Sequence, residues 1–79
     1  MHTIFVQVKC DMGRAYEVAR DIVDLDGVSE VYSISGDYDL IVKCHLPVEV
    51  DVGHFVTEKM QTIGGVKDTF TLITFNAFN

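Results

Sequence analysis

The chain reads as two halves of one plan, and that pattern restricts its fold more than any other feature. Each half carries a helical stretch, a glycine stop and a strand that begins Gly-Val: Gly27-Val28-Ser29-Glu30-Val31 in the first, Gly65-Val66-Lys67-Asp68-Thr69 in the second. Periodicity supplies the rest. Residues 3–10 alternate as a strand, with Ile4, Val6, Val8 and Cys10 on one face. Residues 13–24 set Ala15, Val18, Ala19 and Ile22 at helical spacing, with Asp11 as the expected N-cap and Gly27 as the stop. Residues 28–35 and 38–46 read as two strands, the second ended by Pro47, which cannot donate to a ladder. A second helix is expected over 51–63, with Val52, Val56, Met60 and Ile63 inward and Gly64-Gly65 as its stop; residues 66–76 form the last strand. The order β-α-β-β-α-β is the split βαβ, ferredoxin-like pattern. Right-handed crossovers then give an α+β fold: a four-stranded antiparallel sheet with both helices on one face. A length of 79 residues allows one domain, 1–79.

Between the middle strands lies Ile34-Ser35-Gly36-Asp37-Tyr38-Asp39-Leu40. Glycine at the first central position of a two-residue loop suits a type II′ hairpin, so a tight turn at Gly36-Asp37 is expected. Asp39 then enters a strand that otherwise reads as buried, and a carboxylate there costs free energy unless something hydrogen-bonds to it. Contact with a ligand and a structural bond to backbone explain it equally well. Asp37 is better explained as a turn residue, and Tyr38 serves as a pocket wall or as a core or interface ring.

Strand alternation leaves one sheet face open. Thr3, Phe5, Gln7 and Lys9 are expected there from the first strand, and Asp39, Ile41, Lys43 and His45 from the third. On the last strand Phe70 and Leu72 are expected inward, and Thr69, Thr71, Ile73 and Phe75 outward, although both sides of that strand are apolar. An open face containing Phe5, Ile41, Ile73 and Phe75 is an interaction surface, and face-to-face packing in an isologous dimer would bury it. With 48% hydrophobic residues and a mean hydropathy of +0.23, so short a chain holds more apolar surface than a small monomer hides.

The net charge of −6 and the scatter of Lys9, Arg14, Arg20, Lys43, Lys59 and Lys67 argue against direct nucleic-acid binding. Cys10 and Cys44 form no CxxC motif and read as buried free thiols. The first residues alternate like a strand and lack the basic region of a signal peptide, and no apolar run is long enough for a membrane span; a cytoplasmic location is expected. His2, His45 and His54 lack metal-ligand spacing, no catalytic constellation stands out, and no cofactor is expected.

Taken together, Met12-Gly13-Arg14-Ala15-Tyr16-Glu17-Val18-Ala19, Gly27-Val28-Ser29-Glu30-Val31-Tyr32, Ser35-Gly36-Asp37-Tyr38-Asp39 and Gly64-Gly65-Val66-Lys67 resemble the effector-binding (RAM) domain of the Lrp/AsnC regulators, over essentially the whole chain. The resemblance implies sheet-to-sheet dimers, ring-like assembly of dimers, and a small effector, typically an amino acid, held between dimers near the hairpin. Met1 is followed at once by the first strand, so a stand-alone form without a helix-turn-helix is expected, acting through a partner such as a full-length relative. An amino-acid ligand needs acceptors for its ammonium and donors for its carboxylate. Gly36, Asp37, Tyr38, Asp39 and Thr71 are the candidates, Thr71 because it shares the expected open face. The competing expectation is a small dimeric α+β barrel enzyme, a cofactor-free monooxygenase or isomerase, with His45 or His54 aimed into an enclosed apolar pocket.

Overall fold

In the computed structural model, which describes residues 1–78, the strands β1 (His2–Cys10), β2 (Val28–Ser33), β3 (Leu40–Leu46) and β4 (Val66–Ile73) form one antiparallel sheet in the order β2-β3-β1-β4. This is the expected ferredoxin-like α+β architecture. β1 alternates strictly: Ile4, Val6 and Val8 are fully buried beneath the helices. β3 does the same with Leu40, Val42, Cys44 and Leu46.

Helix α1 (Ala15–Val23) buries Val18 and Ile22 completely and packs Ala15 and Ala19 against the same core. Asp11 is not its N-cap. The position is held by Arg14, without a side-chain cap, and the turn before it closes on the Asp11 carbonyl, which accepts from Arg14 N–H at 3.0 Å. Helix α2 (Val52–Phe55) does begin as expected, because the Asp51 carboxylate accepts from His54 N–H at 2.9 Å. It then widens into a π-turn, Val56–Met60, closed by Gln61 N–H on Val56 O at 2.9 Å. Hydroxyls of Thr57 and Thr62 bond back to the carbonyls of Gly53 and Glu58 at 2.8 and 2.9 Å, competing with the regular ladder. The segment buries Phe55 together with the expected Val56 and Met60, and it ends at Met60 rather than Ile63.

The two halves agree in more than order. After α1, Leu25 N–H reaches Ile22 O at 3.0 Å and Val28 N–H reaches Leu25 O at 3.2 Å. After the π-turn, Ile63 N–H reaches Met60 O and Val66 N–H reaches Ile63 O, both at 3.2 Å. Each double turn holds a left-handed glycine, Gly27 at φ +93° and Gly65 at φ +97°. Each glycine carbonyl then accepts from a neighbouring segment: Gly27 O from His45 N–H at 2.7 Å, Gly65 O from Asp11 N–H at 2.8 Å. A bulge follows in each strand, since the register jumps from Val28↔Cys44 to Glu30↔Lys43, and from Cys10↔Val66 to Lys9↔Asp68.

The second bulge overturns the expected faces of β4. With Val66 packed toward the core, uninterrupted alternation would carry Phe70 and Leu72 inward. The extra residue at Lys67 reverses the remainder. Phe70 lies opposite Gln7 and Leu72 opposite Phe5, on the open face, where they are 49% and 42% exposed. Thr69, Thr71 and Ile73 lie opposite Val8, Val6 and Ile4, on the helix side. Thr71 and Ile73 therefore leave the open face. Phe75 lies beyond the last strand and is 94% exposed.

The core generates two predictions. A Cβ at Gly65 would lie 2.8 Å from Val18 Cγ2, a stiff, fully buried side chain, in addition to the strained φ. Gly65→Ala is expected to lower stability by about 1–3 kcal/mol in denaturant unfolding. Burial pushes the Cys44 thiol up to about 11, so the fold holds the neutral form where the unfolded chain would ionise. Stability is then intact below the ordinary thiol range and falls as pH rises through it toward 11; thermal melts should show this alkaline slope, and Cys44→Ala should flatten it.

Candidate functional site

The segment joining β2 to β3 is wider than a two-residue turn. Ile34 N–H donates to Asp39 O at 2.9 Å, leaving Ser35, Gly36, Asp37 and Tyr38 as a four-residue loop. β2 accordingly stops at Ser33 and β3 starts at Leu40. The reason lies in what Asp39 does. The last β1–β3 pair is Val8↔Leu40, so past it β3 offers no regular carbonyl to Cys10 N–H. The Asp39 carboxylate supplies the acceptor: Cys10 N–H donates to its Oδ2 at 2.8 Å, while Asp39 N–H donates to Val8 O at 2.9 Å. Of the two explanations open from the sequence, the structural bond is the one formed. The nearby carboxylates of Asp39 and Asp11 add to burial in raising the Cys10 thiol, so it stays neutral at ordinary pH.

Two further contacts seat the loop, and both involve residues outside the expected site. Lys9 Nζ donates to Asp37 O at 2.7 Å. The Tyr38 ring packs against Phe70, with centroids 6.1 Å apart and planes at 31°. The loop thus folds across the end of β1 toward β4. Phe70 could be found only with the β4 bulge in hand; Lys9 sits beside the bulge on the expected open face, and its position was its only signal. Among the described residues, the Asp37 side chain has no hydrogen bond or ion pair. Thr71 is not brought to the loop, because it stands opposite Val6 on the other face.

The open face is divided. Its β1–β4 side carries Phe5, Phe70 and Leu72, with Ile41 beside them. Its β2–β3 side carries a polar ladder in which Tyr32 donates to Glu30 and Lys43 lies 3.7 Å from the same carboxylate. The Tyr32 hydrogen bond, followed by the Lys43 charge, holds the Glu30 carboxyl below its usual range. His45 bonds through Nδ1 to Thr3 Oγ1 at 2.9 Å, and His54 is exposed. His45 also lines an open cleft at the end of β3, and neither histidine is enclosed, so the closed pocket expected of a barrel enzyme is not formed around them. Among the described residues, no three His, Cys, Asp or Glu side chains cluster as a metal site, and no helix is long and apolar enough to cross a membrane.

Comparison with known proteins adds the family. The model of the Lrp/AsnC ligand binding domain matches residues 3–79. PF0250 of Pyrococcus furiosus, an uncharacterized HTH-type transcriptional regulator, is 34% identical over 76 residues, covering 92% of this chain and 51% of that protein. The homocitrate synthase of Sulfolobus acidocaldarius is 39% identical over 67 residues, covering 84% of this chain and only 14% of that enzyme. The crystal structure of TTHA0845 from Thermus thermophilus superimposes with a TM-score of 0.88 at 34% identity, covering 100% of this chain and 99% of that one. The chain spans about half the length of the regulators it matches. With the family model covering nearly every residue and the doubled junctions, bulges and hairpin accounted for, the chain belongs to the Lrp/AsnC ligand binding domain family.

Proposed function

We propose that this domain is the small-effector sensor of a regulatory assembly, that the effector is an amino acid, and that it docks at the hairpin loop. The observation that carries this reading is the loop itself. Asp39, Lys9 and Phe70 hold it from three directions, yet the Asp37 carboxylate at its tip is uncommitted among the described residues. That carboxylate is suited to an ammonium group, and the backbone amides of the loop are suited to a carboxylate. The family supports a regulatory role, and the same module occurs in proteins named as HTH-type transcriptional regulators and as a homocitrate synthase, as befits a sensor whose output depends on what it is joined to. Asp39, assigned to the ammonium as an alternative from sequence alone, serves the scaffold in this reading, and Asp37 takes its place.

The open face supports assembly. Phe5, Ile41, Phe70 and Leu72 form an apolar patch that a second copy would cover, and pairs of such dimers meeting at their loops would close the effector site. A full-length regulator is a candidate co-assembling partner, and a cytoplasmic setting fits that role.

Calorimetric titration with the common amino acids tests the ligand reading. Asp37→Asn should weaken binding by one to two powers of ten, since a charge-assisted hydrogen bond contributes about 1.5–3 kcal/mol and 1.4 kcal/mol is tenfold, with the melting temperature unchanged. Asp39→Ala should instead lower stability by about 1–3 kcal/mol, because it orphans Cys10 N–H. Binding of no amino acid, or equal affinity in Asp37→Asn, would remove the loop from the site. Phe70→Glu should shift the protein to a smaller species in sedimentation, since the charge would be buried without a partner; a wild-type monomer at micromolar concentration would defeat the assembly reading.

A further inference from the structure

We infer that the domain carries a second small-molecule site, at the end of the sheet opposite the hairpin loop, for a primary amine with an apolar body. A cleft of about 630 Å³ opens where β3 ends and β2 begins, within the roughly 300–1,000 Å³ range of small-ligand pockets. Leu25, Leu46, Val50 and Phe55 give it an apolar lining. Leu46 and Phe55 belong to the core, so these walls are fixed by the fold.

The glycine at the first helix exit shapes the cleft. A Cβ on Gly27 would lie 2.7 Å from Leu46 Cδ2 and 3.9 Å from Phe55 Cε1. Only a bare backbone in the left-handed conformation lets the Leu25–Gly27 turn rest directly on that floor. The turn also delivers the charge. Asp24 and Asp26 flank Leu25, both line the cleft, and neither carboxylate has a hydrogen bond or ion pair among the described residues. Two uncommitted carboxylates beside an apolar cleft suit a ligand that places methylenes or a ring against Phe55 and an ammonium between the acids. Lys59, on the π-turn, also lines the cleft and admits a carboxylate on the same molecule. A carboxylic acid without an amine could meet Lys59 but would leave Asp24 and Asp26 unpaired beside its own negative charge, so it should bind far more weakly. This site shares no residue with the hairpin loop and stands independently of the effector reading.

Titration of the ¹⁵N-labelled wild-type protein with phenethylamine, L-phenylalanine and 3-phenylpropionate tests the inference. The amine and the amino acid should shift the amides of Leu25, Gly27, Leu46 and Lys59 saturably, and the acid should not. The double variant Asp24→Asn, Asp26→Asn changes only exposed side chains, so its melting temperature should hold while amine affinity falls at least about tenfold. Failure of the amine to shift these amides, equal binding of the acid, or undiminished amine binding by the double variant would overturn the second site. Shifts confined to Gly36, Asp37 and Tyr38 would also overturn it while leaving the effector reading intact. Shifts at the cleft with a silent hairpin would support the second site and exclude phenylalanine alone as the hairpin's ligand.

Discussion

Everything in this domain hangs on how a helix is returned to the sheet. Twice the chain leaves a helical segment through a double turn, passes a glycine at a φ near +95° and places a valine toward the core. Twice the glycine carbonyl is caught by an amide from a neighbouring segment, His45 in one half and Asp11 in the other. A side chain at either glycine would strike a buried residue, Leu46 or Val18, so the close approach and the unusual dihedral are one requirement. Because both crossovers have the same hand in this strand order, both helical segments cover the same side of the sheet. The other side is left with Phe5, Phe70 and Leu72 uncovered.

The parts of this design that rest on periodicity were legible in the sequence. Strict alternation in β1 and β3 identified their buried faces, and the stripe of Ala15, Val18, Ala19 and Ile22 identified the packing side of α1. The repeated Gly-Val stretches announced the two halves. What escaped was every feature that depends on counting one residue more or less. The bulge at Lys67 carries no marker in its residue type, yet it moves Thr71 and Ile73 to the helix side and brings Phe70 to the loop. Where α2 gives way to the π-turn, Phe55 likewise enters the core beside Val56. At the loop, Asp39 is anomalous in the sequence, but whether its carboxylate meets a ligand or a backbone amide depends on where β1 stops pairing with β3, a fact of register.

Loop and cleft occupy opposite ends of the strand at the heart of the molecule, and they are held differently. The loop is fastened by polar contacts with the end of β1 and by one aromatic stack, leaving its tip outside the core. The cleft is walled by core residues and gains its charge from a turn. The first arrangement suits recognition completed by a neighbouring subunit; the second suits a ligand taken up within one chain.

The strand order has a bearing on how the molecule comes into being. Of the four strands β1 comes earliest in the sequence, but it is interior to the sheet and must pair on both sides, with β3 and with β4. Its second partner, β4, comes latest of the four. Until that segment arrives, one edge of an apolar strand lacks its hydrogen-bonding neighbour, and closing the sheet means joining residues as far apart in sequence as Ile4 and Ile73. Folding is therefore governed by non-local closure, the slow regime for small domains. Meanwhile the nascent chain presents an open edge of the kind that invites pairing with another copy before its own last strand can occupy it.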